Sequence, residues 1–367
     1  MIKAVVLAGG EGTRLRPLTE NIPKPLIPVA GRPCVEYALR SLVKGGFESI
    51  IVTTGYLSDK LIRRVSDGRH VGASVVYSFE PEPAGTAGAV KAVSSFLDSP
   101  VVIMSGDTLM DVDIAAIYRD HIRSGAAVTM AVTAVQDPSE FGVVEPDSDG
   151  FVRRFQEKPR REEAFSNLVN AGVYVINREV IDIIPSQTQY DFAKQLFPLL
   201  LQKGMKIKTH RIEGIWLDIG RPQDLHLANL AIVDAEGKVQ ELPGCTVSGK
   251  MIMLQRPVYG NDVEFRGRCY IGRDVKLEDR NTIINSCLYD GVHIGSETRI
   301  AESMLLEDSR VGKNCDIVET ILSPNCRVGD NVRLEKSVIG EGVFIKANSS
   351  LIGANISPQP RAHRSEH

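Results

Sequence analysis

One periodicity limits what the last third of this chain can fold into. Starting at Ile271, Leu277 and Ile283 and advancing 17 residues at a time gives Leu288, Ile294, Ile300, then Leu305, Val311, Ile317. Two further steps give Leu322, Val328, Leu334 and Ile339, Ile345, Leu351. All fifteen are Ile, Leu or Val, in a chain where hydrophobic residues of every kind make up 43%. Within each coil the steps are 6, 6 and 5. Glycine often follows the aliphatic residue, as at Gly272, Gly295, Gly312, Gly329 and Gly340. Four residues after an aliphatic position the side chain is often small or apolar: Val275, Cys287, Val292, Cys315, Cys326, Val338. A unit this short cannot bury its own apolar face, so the coils must stack. Three flat faces per coil, each pointing one aliphatic side chain inward, describe a parallel β-helix better than an irregular β-sandwich.

The first 235 residues have another rhythm. Short β-branched runs (Lys3–Leu7, Ser49–Thr53, Val75–Ser78, Val101–Met104) alternate with helical patterns near 35–45, 57–66, 86–97 and 113–124. That alternation predicts an α/β fold, a doubly wound, mostly parallel sheet with helices on both faces. Asp147-Ser148-Asp149-Gly150 between two apolar runs predicts an inserted hairpin, which makes the sheet mixed. Ligands of such sheets sit at the carboxyl ends of the strands, so the residues just after each strand carry the interest. The expected organisation is 1–235 for the α/β domain, 236–250 for a linker, 251–355 for the β-helix and 356–367 for a disordered tail. The repeat closely resembles the left-handed hexapeptide-repeat β-helices.

A net charge of −3 with acids and bases interleaved gives no sign of a nucleic-acid or anionic-membrane surface. No apolar run approaches the roughly 20 residues of a membrane-spanning helix, and Ile2–Leu7 is too short for a signal peptide. The six cysteines show no CxxC spacing and read as reduced core thiols. A cytoplasmic location follows from these features.

The segment richest in chemistry is Leu7-Ala8-Gly9-Gly10-Glu11-Gly12-Thr13-Arg14-Leu15, directly after the first strand. Glycines let backbone N–H groups approach a nucleotide closely, and a following helix end favours its phosphates. A dinucleotide fingerprint fails, because Leu15 stands where its third glycine belongs and Thr53-Thr54-Gly55 lacks the ribose-binding acid. A Walker A loop fails for want of Gly-Lys-Ser/Thr. On spacing alone, a structural turn remains an equal reading.

The continuation Arg16-Pro17-Leu18-Thr19 and Pro23-Lys24-Pro25-Leu26 distinguishes the two. With it, the chain closely resembles the sugar-1-phosphate nucleotidylyltransferase family, whose signature is G-x-G-T-R-L-x-P-L-T followed by P-K-P. Glu82–Gly88, the run Trp216–Pro222 and the appended β-helix resemble most the mannose-1-phosphate guanylyltransferases. The resemblance implies a catalytic domain over 1–235 that joins a nucleoside triphosphate to a sugar 1-phosphate and releases pyrophosphate. It implies that Arg14 and Lys24 hold the triphosphate, and that Asp107 and Asp218 are catalytic carboxylates binding Mg2+. Nucleotide contacts are expected from Leu7, Ala8, Gly9, Gly10, Gly12, Thr13, Glu82, Gly85 and Thr86 as well. Gly142, Glu157, Lys158, Asn170 and Asp218 are the expected sugar-phosphate residues.

The implied chemistry is physically coherent. Two anions must meet while pyrophosphate leaves, which calls for fixed cations and in-line positioning more than for a proton-transfer residue. Magnesium takes hard oxygen ligands and keeps several waters, so two carboxylates suffice. Glucose 1-phosphate with dTTP or UTP is the alternative substrate pair, and a non-catalytic regulatory subunit is the alternative class. His293 invites comparison with hexapeptide acyltransferases, although an isolated histidine on a solenoid face is more often simply exposed. The seven histidines form no recognisable cluster. Solenoids of this kind often pack together, so a homo-oligomer is expected. Every expected site residue precedes 235, which makes the repeat separable from the chemistry on the sequence alone.

Overall fold

The computed structural model describes residues 2–358. It divides into two compact units that do not follow chain order. One holds the chain up to Glu11, Pro23–Leu26 and Pro33–Asp218; the other holds Gly12–Ile22, Ile27–Arg32 and the chain from Ile219 onward.

The first unit is built on a mixed sheet. The strands of the unit are β1 (Ile2–Leu7), β2 (Ser49–Thr54), β3 (Ser74–Phe79), β4 (Leu97–Ser105), β5 (Thr108–Asp111), β6 (Val128–Ala134), β7 (Gly142–Pro146), β8 (Val152–Glu157), β9 (Leu168–Ile176), β10 (Ile207–Arg211) and β11 (Ile215–Asp218), of which β5 and β11 form a separate two-stranded sheet. The main path runs β8-β7-β9-β4-β1-β2-β3; β6 pairs with β9, and β10 with β6. β3, β2, β1 and β4 are all parallel, with Leu7 opposite Thr53 on one side and Ser105 on the other. The remainder is mostly antiparallel, and the expected hairpin is β7–β8. There the Asp147 carboxylate accepts hydrogen bonds from the Asp149 and Phe151 amides.

Alternation along β1 shows the double winding. Ala4 and Val6 pack with Val35, Leu39 and Leu42 of α1 (Cys34–Lys44). Val5, between them, packs on the other face with Ala87 and Val90 of α2 (Thr86–Ala92). Val102 and Met104 of β4 likewise face one core, and Val101 and Ile103 the other. The helix expected over 86–97 stops at Ala92, because Leu97 already begins β4.

The second unit contains α3 (Pro222–Glu236) and an all-parallel solenoid. All fifteen periodic aliphatics join one core, and only Leu351, in the last coil, is half-buried. Two of the expected boundaries move. The strand Cys245–Met253 pairs in parallel with Val263–Ile271, so the solenoid begins inside the expected linker. Its offset is 18 residues (263 against 245), which hides it from a 17-residue search. At the other end the strand Asn355–Ile356 enters the expected tail, and 359–367 lie outside the described residues. Of the small or apolar residues four positions on, Val275, Val292, Cys315 and Cys326 pack with the solenoid core, and Cys287 and Val338 lie outside it.

One corner of the solenoid carries a hydroxyl ladder. The amides of Ser303, Thr320, Ser337 and Ala354 donate to the side-chain oxygens of Ser286, Ser303, Thr320 and Ser337, each 17 residues back. Beside it Asn285, Glu302, Glu319 and Lys336 all take positive φ, between 43° and 48°, to turn the corner. All six cysteines are free thiols. No described helix is long and apolar enough to cross a membrane.

Core depth sets the cost of truncation. Leu305→Ala, fully buried in mid-solenoid, should lower unfolding free energy by about 2–5 kcal/mol. Leu351→Ala, half-buried in the end coil, should cost clearly less. Urea melts followed by circular dichroism make the comparison.

Candidate active site

The carboxyl ends of β1, β2 and β4 lie side by side, and the chain turns away from each through a glycine: Gly9, Gly55 and Gly106. The crowding there excludes larger residues. A Cβ on Gly106 would stand 2.9 Å from a Val6 methyl and 3.0 Å from the Leu7 carbonyl. Between these turns opens a cleft of about 450 Å³. Leu7, Ala8, Gly9, Gly10, Gly85, Thr86 and Asp107, all expected to contact the nucleotide, line it. A concave site at the point where strand order reverses is where an open α/β sheet binds its ligand.

At one end stands a charge cluster. The Lys24 ammonium donates to Asp107 Oδ2 at 2.7 Å and lies 3.7 Å from Asp218 Oδ1. Three separate segments meet there. Pro23 and Pro25 restrict the backbone around the lysine. Asp107 follows β4, and Asp218 ends β11, which pairs antiparallel with β5 so that Asp218 faces Thr108. Ser105 also donates to Asp107. Only 9% of the lysine side chain is exposed. Burial alone would depress its pKa, but Asp107 and Asp218 outweigh it and hold the ammonium above its usual range. For Asp107 burial opposes ionisation, and Lys24 with Ser105 overcomes it, so its pKa lies below the ordinary aspartate value.

Whether magnesium suits this cluster can be tested on its donors. Among the described residues no group of three or more His, Cys, Asp or Glu side chains gathers. Asp107 and Asp218 are hard oxygen donors already converging on one cation, the ammonium. Two carboxylates with water match magnesium, which rarely uses an all-protein cage. The residues fit the ion.

The expected sugar side belongs to the antiparallel half of the sheet. A Cβ on Gly142 would stand 2.9 Å from Glu157 Oε2, so the glycine makes room for that carboxylate. Burial pushes the Glu157 pKa up, against Lys158 and Lys194. Lys158 is exposed and bends the chain at φ 46°, its amide donating to the Phe141 carbonyl. Asn170 donates to the Tyr174 hydroxyl and accepts from the Gly172 amide, while Trp216 Nε1 donates to the Ala171 carbonyl.

Not every residue expected to contact the nucleotide lines this cleft. Glu82 does not line the cleft. The turn between Pro81 and Pro83 exposes it in a separate groove with Lys91 and Gln187. Glu80, directly after β3, does line the cleft; its side chain lies against Gly9 and accepts from the Ala84 amide at 3.3 Å. Burial pushes its pKa up, against hydrogen bonds from Ala84 and Thr53. Attention to residues just after strands could have found Glu80. Asp191, which also lines the cleft and binds the Thr86 amide and hydroxyl, carries no local signal. Gly12, Thr13 and Arg14 are not among the lining residues and open a segment of the second unit. There Gly12 is left-handed, with φ 64°, and its carbonyl accepts from the Thr19 hydroxyl.

Comparison with known proteins agrees with this architecture. Residues 3–235 match the Nucleotidyl transferase family, and residues 265–366 match the GMPPB C-terminal domain. A UTP–glucose-1-phosphate uridylyltransferase of Synechocystis is 35% identical over 77% of this chain and 77% of its own. A mannose-1-phosphate guanylyltransferase of Mycobacterium tuberculosis is 31% identical over 80% of this chain and 81% of its own. A putative glucose-1-phosphate thymidylyltransferase of Bacillus anthracis, in a crystal structure, superposes with TM-score 0.57 at 25% identity, over 62% of this chain and 94% of that one. Fold and cleft define a nucleotide-transferring enzyme of the α/β class. The chain belongs to the nucleotidyl transferase family, in its sugar-1-phosphate branch.

The charge cluster has a pH signature. Because Asp107 is held below its ordinary value of about 3.9, its ion pair stabilises the fold above that pH and is lost as pH falls through the lowered pKa. Lys24→Met should therefore move the Asp107 titration upward, read by carboxyl NMR of labelled aspartates.

Proposed function

We propose that this chain is a mannose-1-phosphate guanylyltransferase: it transfers GMP from GTP to mannose 1-phosphate, giving GDP-mannose and pyrophosphate. The observation that carries the reaction class is the buried Lys24 ammonium held between Asp107 and Asp218 beside the nucleotide cleft. A phosphate oxygen of the sugar phosphate attacks the α-phosphorus, and the bond to the pyrophosphate oxygen breaks. No proton need move, so the work is alignment and charge neutralisation. Lys24 neutralises phosphate charge, and Arg14 takes the same task on the triphosphate. Asp107 and Asp218 would hold magnesium, which supplies charge neutralisation between the two anions when bound. Glu157 and Asn170 offer an acceptor and an amide to sugar hydroxyls, and Lys158 a cation to the sugar phosphate.

The guanine assignment is supported by the guanylyltransferase relatives and by Glu80. Guanine presents two adjacent donors, N1–H and the 2-amino group, which suit one carboxylate. Uracil and thymine present one donor between two acceptors, which a carboxylate repels. A site that leaves a buried polar group unpaired rejects the wrong base strongly. The second reading, UTP with glucose 1-phosphate, is favoured by the 35% identity to the Synechocystis uridylyltransferase. Mannose and glucose differ only at the 2-hydroxyl.

Pyrophosphate release over a matrix of GTP, ATP, UTP and dTTP with both sugar phosphates tests the assignment. The expected maximum in kcat/KM is GTP with mannose 1-phosphate. A maximum at UTP or dTTP with glucose 1-phosphate would replace the substrates and keep the reaction. Silence across the matrix, in folded protein with magnesium, would indicate a regulatory subunit. Asp107→Asn and Asp218→Asn should each lower kcat by orders of magnitude while the fold persists. Glu80→Gln should narrow the preference for GTP over UTP, measured as the ratio of their kcat/KM values.

A further inference from the structure

The cleft wall made by Gly85 and Thr86 is the entry to α2, and nothing in its own segment caps that helix. Gly85, the residue before it, has no side chain to do so. The amides of Thr86, Ala87 and Gly88 open the helix and find no partner within it. A segment 105 residues further along supplies acceptors for all three. The Tyr190 carbonyl accepts from the Ala87 and Gly88 amides, at 2.9 Å each. Asp191 Oδ1 accepts from the Thr86 amide at 3.1 Å and from the Thr86 hydroxyl at 3.3 Å. That hydroxyl in turn accepts from the Phe192 amide at 3.0 Å. Both segments lie in the sheet unit.

The two segments fit too closely for larger residues. A Cβ on Gly85, which sits at φ 75°, would stand 2.7 Å from the Tyr190 carbonyl oxygen. One on Gly88 would stand 2.9 Å from the Thr188 carbonyl oxygen. The run Gly85–Gly88 is therefore a docking face for 188–192 as well as a wall of the cleft. Asp191 is itself held in place. Its amide donates to Gln195 Oε1 at 2.7 Å, and its second oxygen lies 3.6 Å from the Lys194 ammonium. The same bonds reach the other acid of the cleft: the Tyr190 amide donates to the Ala84 carbonyl at 2.9 Å, and the Ala84 amide donates to Glu80.

We propose that Asp191 is a positioning residue for the nucleobase side of the cleft. Its carboxylate caps α2 from outside, and so fixes the Gly85–Thr86 wall and, through Ala84, Glu80. A helix of seven residues is too short to hold its own first turn in water, so the wall is only as rigid as its cap. A carboxylate suits the task, because a helix N-terminus favours negative charge and charged acceptors bind amides more strongly than neutral ones. The effect on nucleotide binding rests on the nucleotide reading of the cleft given above; the capping does not.

The test uses full-length Asp191→Ala, Asp191→Asn, Thr86→Val and Thr86→Ser. Leu61→Ala, fully buried in the core on the α1 side of the sheet, is the control. Circular dichroism and melting first establish folding. Hydrogen exchange then reads the Thr86–Gly88 amides with no ligand present, and should be about tenfold faster in Asp191→Ala. The calorimetric Kd for GTP should rise about tenfold in the same variant, with kcat little changed. Inorganic triphosphate, which has no base to meet the wall, should bind as it does to wild type. Asp191→Asn keeps an acceptor and Thr86→Ser the hydroxyl, so both should recover most of the loss. Losses from Asp191→Ala and Thr86→Val should not add in the double variant, because the two changes remove a shared bond. Leu61→Ala should lower the melting point and leave exchange at 86–88 and GTP affinity unchanged. If Asp191→Ala does not fold, Thr86→Val carries the same comparison. Wild-type exchange and GTP affinity in the folded variants would overturn the proposal, as would additive losses or a loss confined to the sugar phosphate. If wild type binds no nucleoside triphosphate, the nucleotide reading fails, and exchange at 86–88 still decides the capping.

Discussion

A lysine ammonium that is 9% exposed and shared by two carboxylates is a demanding arrangement. Each of the three groups would be costly to bury alone, and together they neutralise one another only if three chain segments are held at the right places. Asp107 is placed by a buried parallel strand and Asp218 by a two-stranded pairing with β5. Lys24 has neither support: it lies in the short helical turn Lys24–Leu26, whose Leu26 packs against the core of the sheet unit. The cluster therefore depends on how that turn packs within its own unit.

The cleft beside it illustrates how an open α/β sheet makes a binding site from backbone. Parallel strands end in register, their N–H and C=O groups cannot all be paired, and the chain must turn sharply. Glycines at 9, 55 and 106 permit the close approach, and the turn residues become the walls. The antiparallel half of the sheet adds side chains. Glu157, partly buried behind Gly142, and Asn170, fixed by Tyr174 and Gly172, are oriented by strands rather than by loops.

The two units are interleaved in sequence because an apolar outer face of the solenoid has to be covered. Residues 27–32 and α3 are bonded to that face, and residues 12–22 to the last coils. In this arrangement the repeat does more than append a rod to an enzyme. Its surface and residues 12–22 of the signature segment belong to one compact unit.

Much of this was legible in the sequence, for physical reasons that differ by region. The 17-residue spacing determined the solenoid, because only stacking buries one aliphatic residue per face; fourteen of the fifteen positions, all but Leu351, are fully buried. Strand and helix alternation determined the double winding, since two-sided burial leaves its mark on consecutive residues. The glycine loop with Lys24, Asp107 and Asp218 was readable as motif and as chemistry alike. The sequence did not reveal that Glu80 lines the cleft while Glu82 faces a separate groove, because that depends on how the Pro81–Pro83 turn brings the Ala84 amide back onto Glu80. The strand Cys245–Met253 also escaped, since its 18-residue offset breaks the repeat. Nor did it reveal that Gly12–Ile22 and Ile27–Arg32 leave the sheet unit for the β-helix. That assignment depends on contacts such as Tyr289 with Pro28, 261 residues apart, which no local pattern encodes. Periodicity and motif are properties of neighbouring residues, and the sequence alone determined what depends on them. Which distant surfaces meet depends on the shapes those patterns make once folded, and only the tertiary structure decided that.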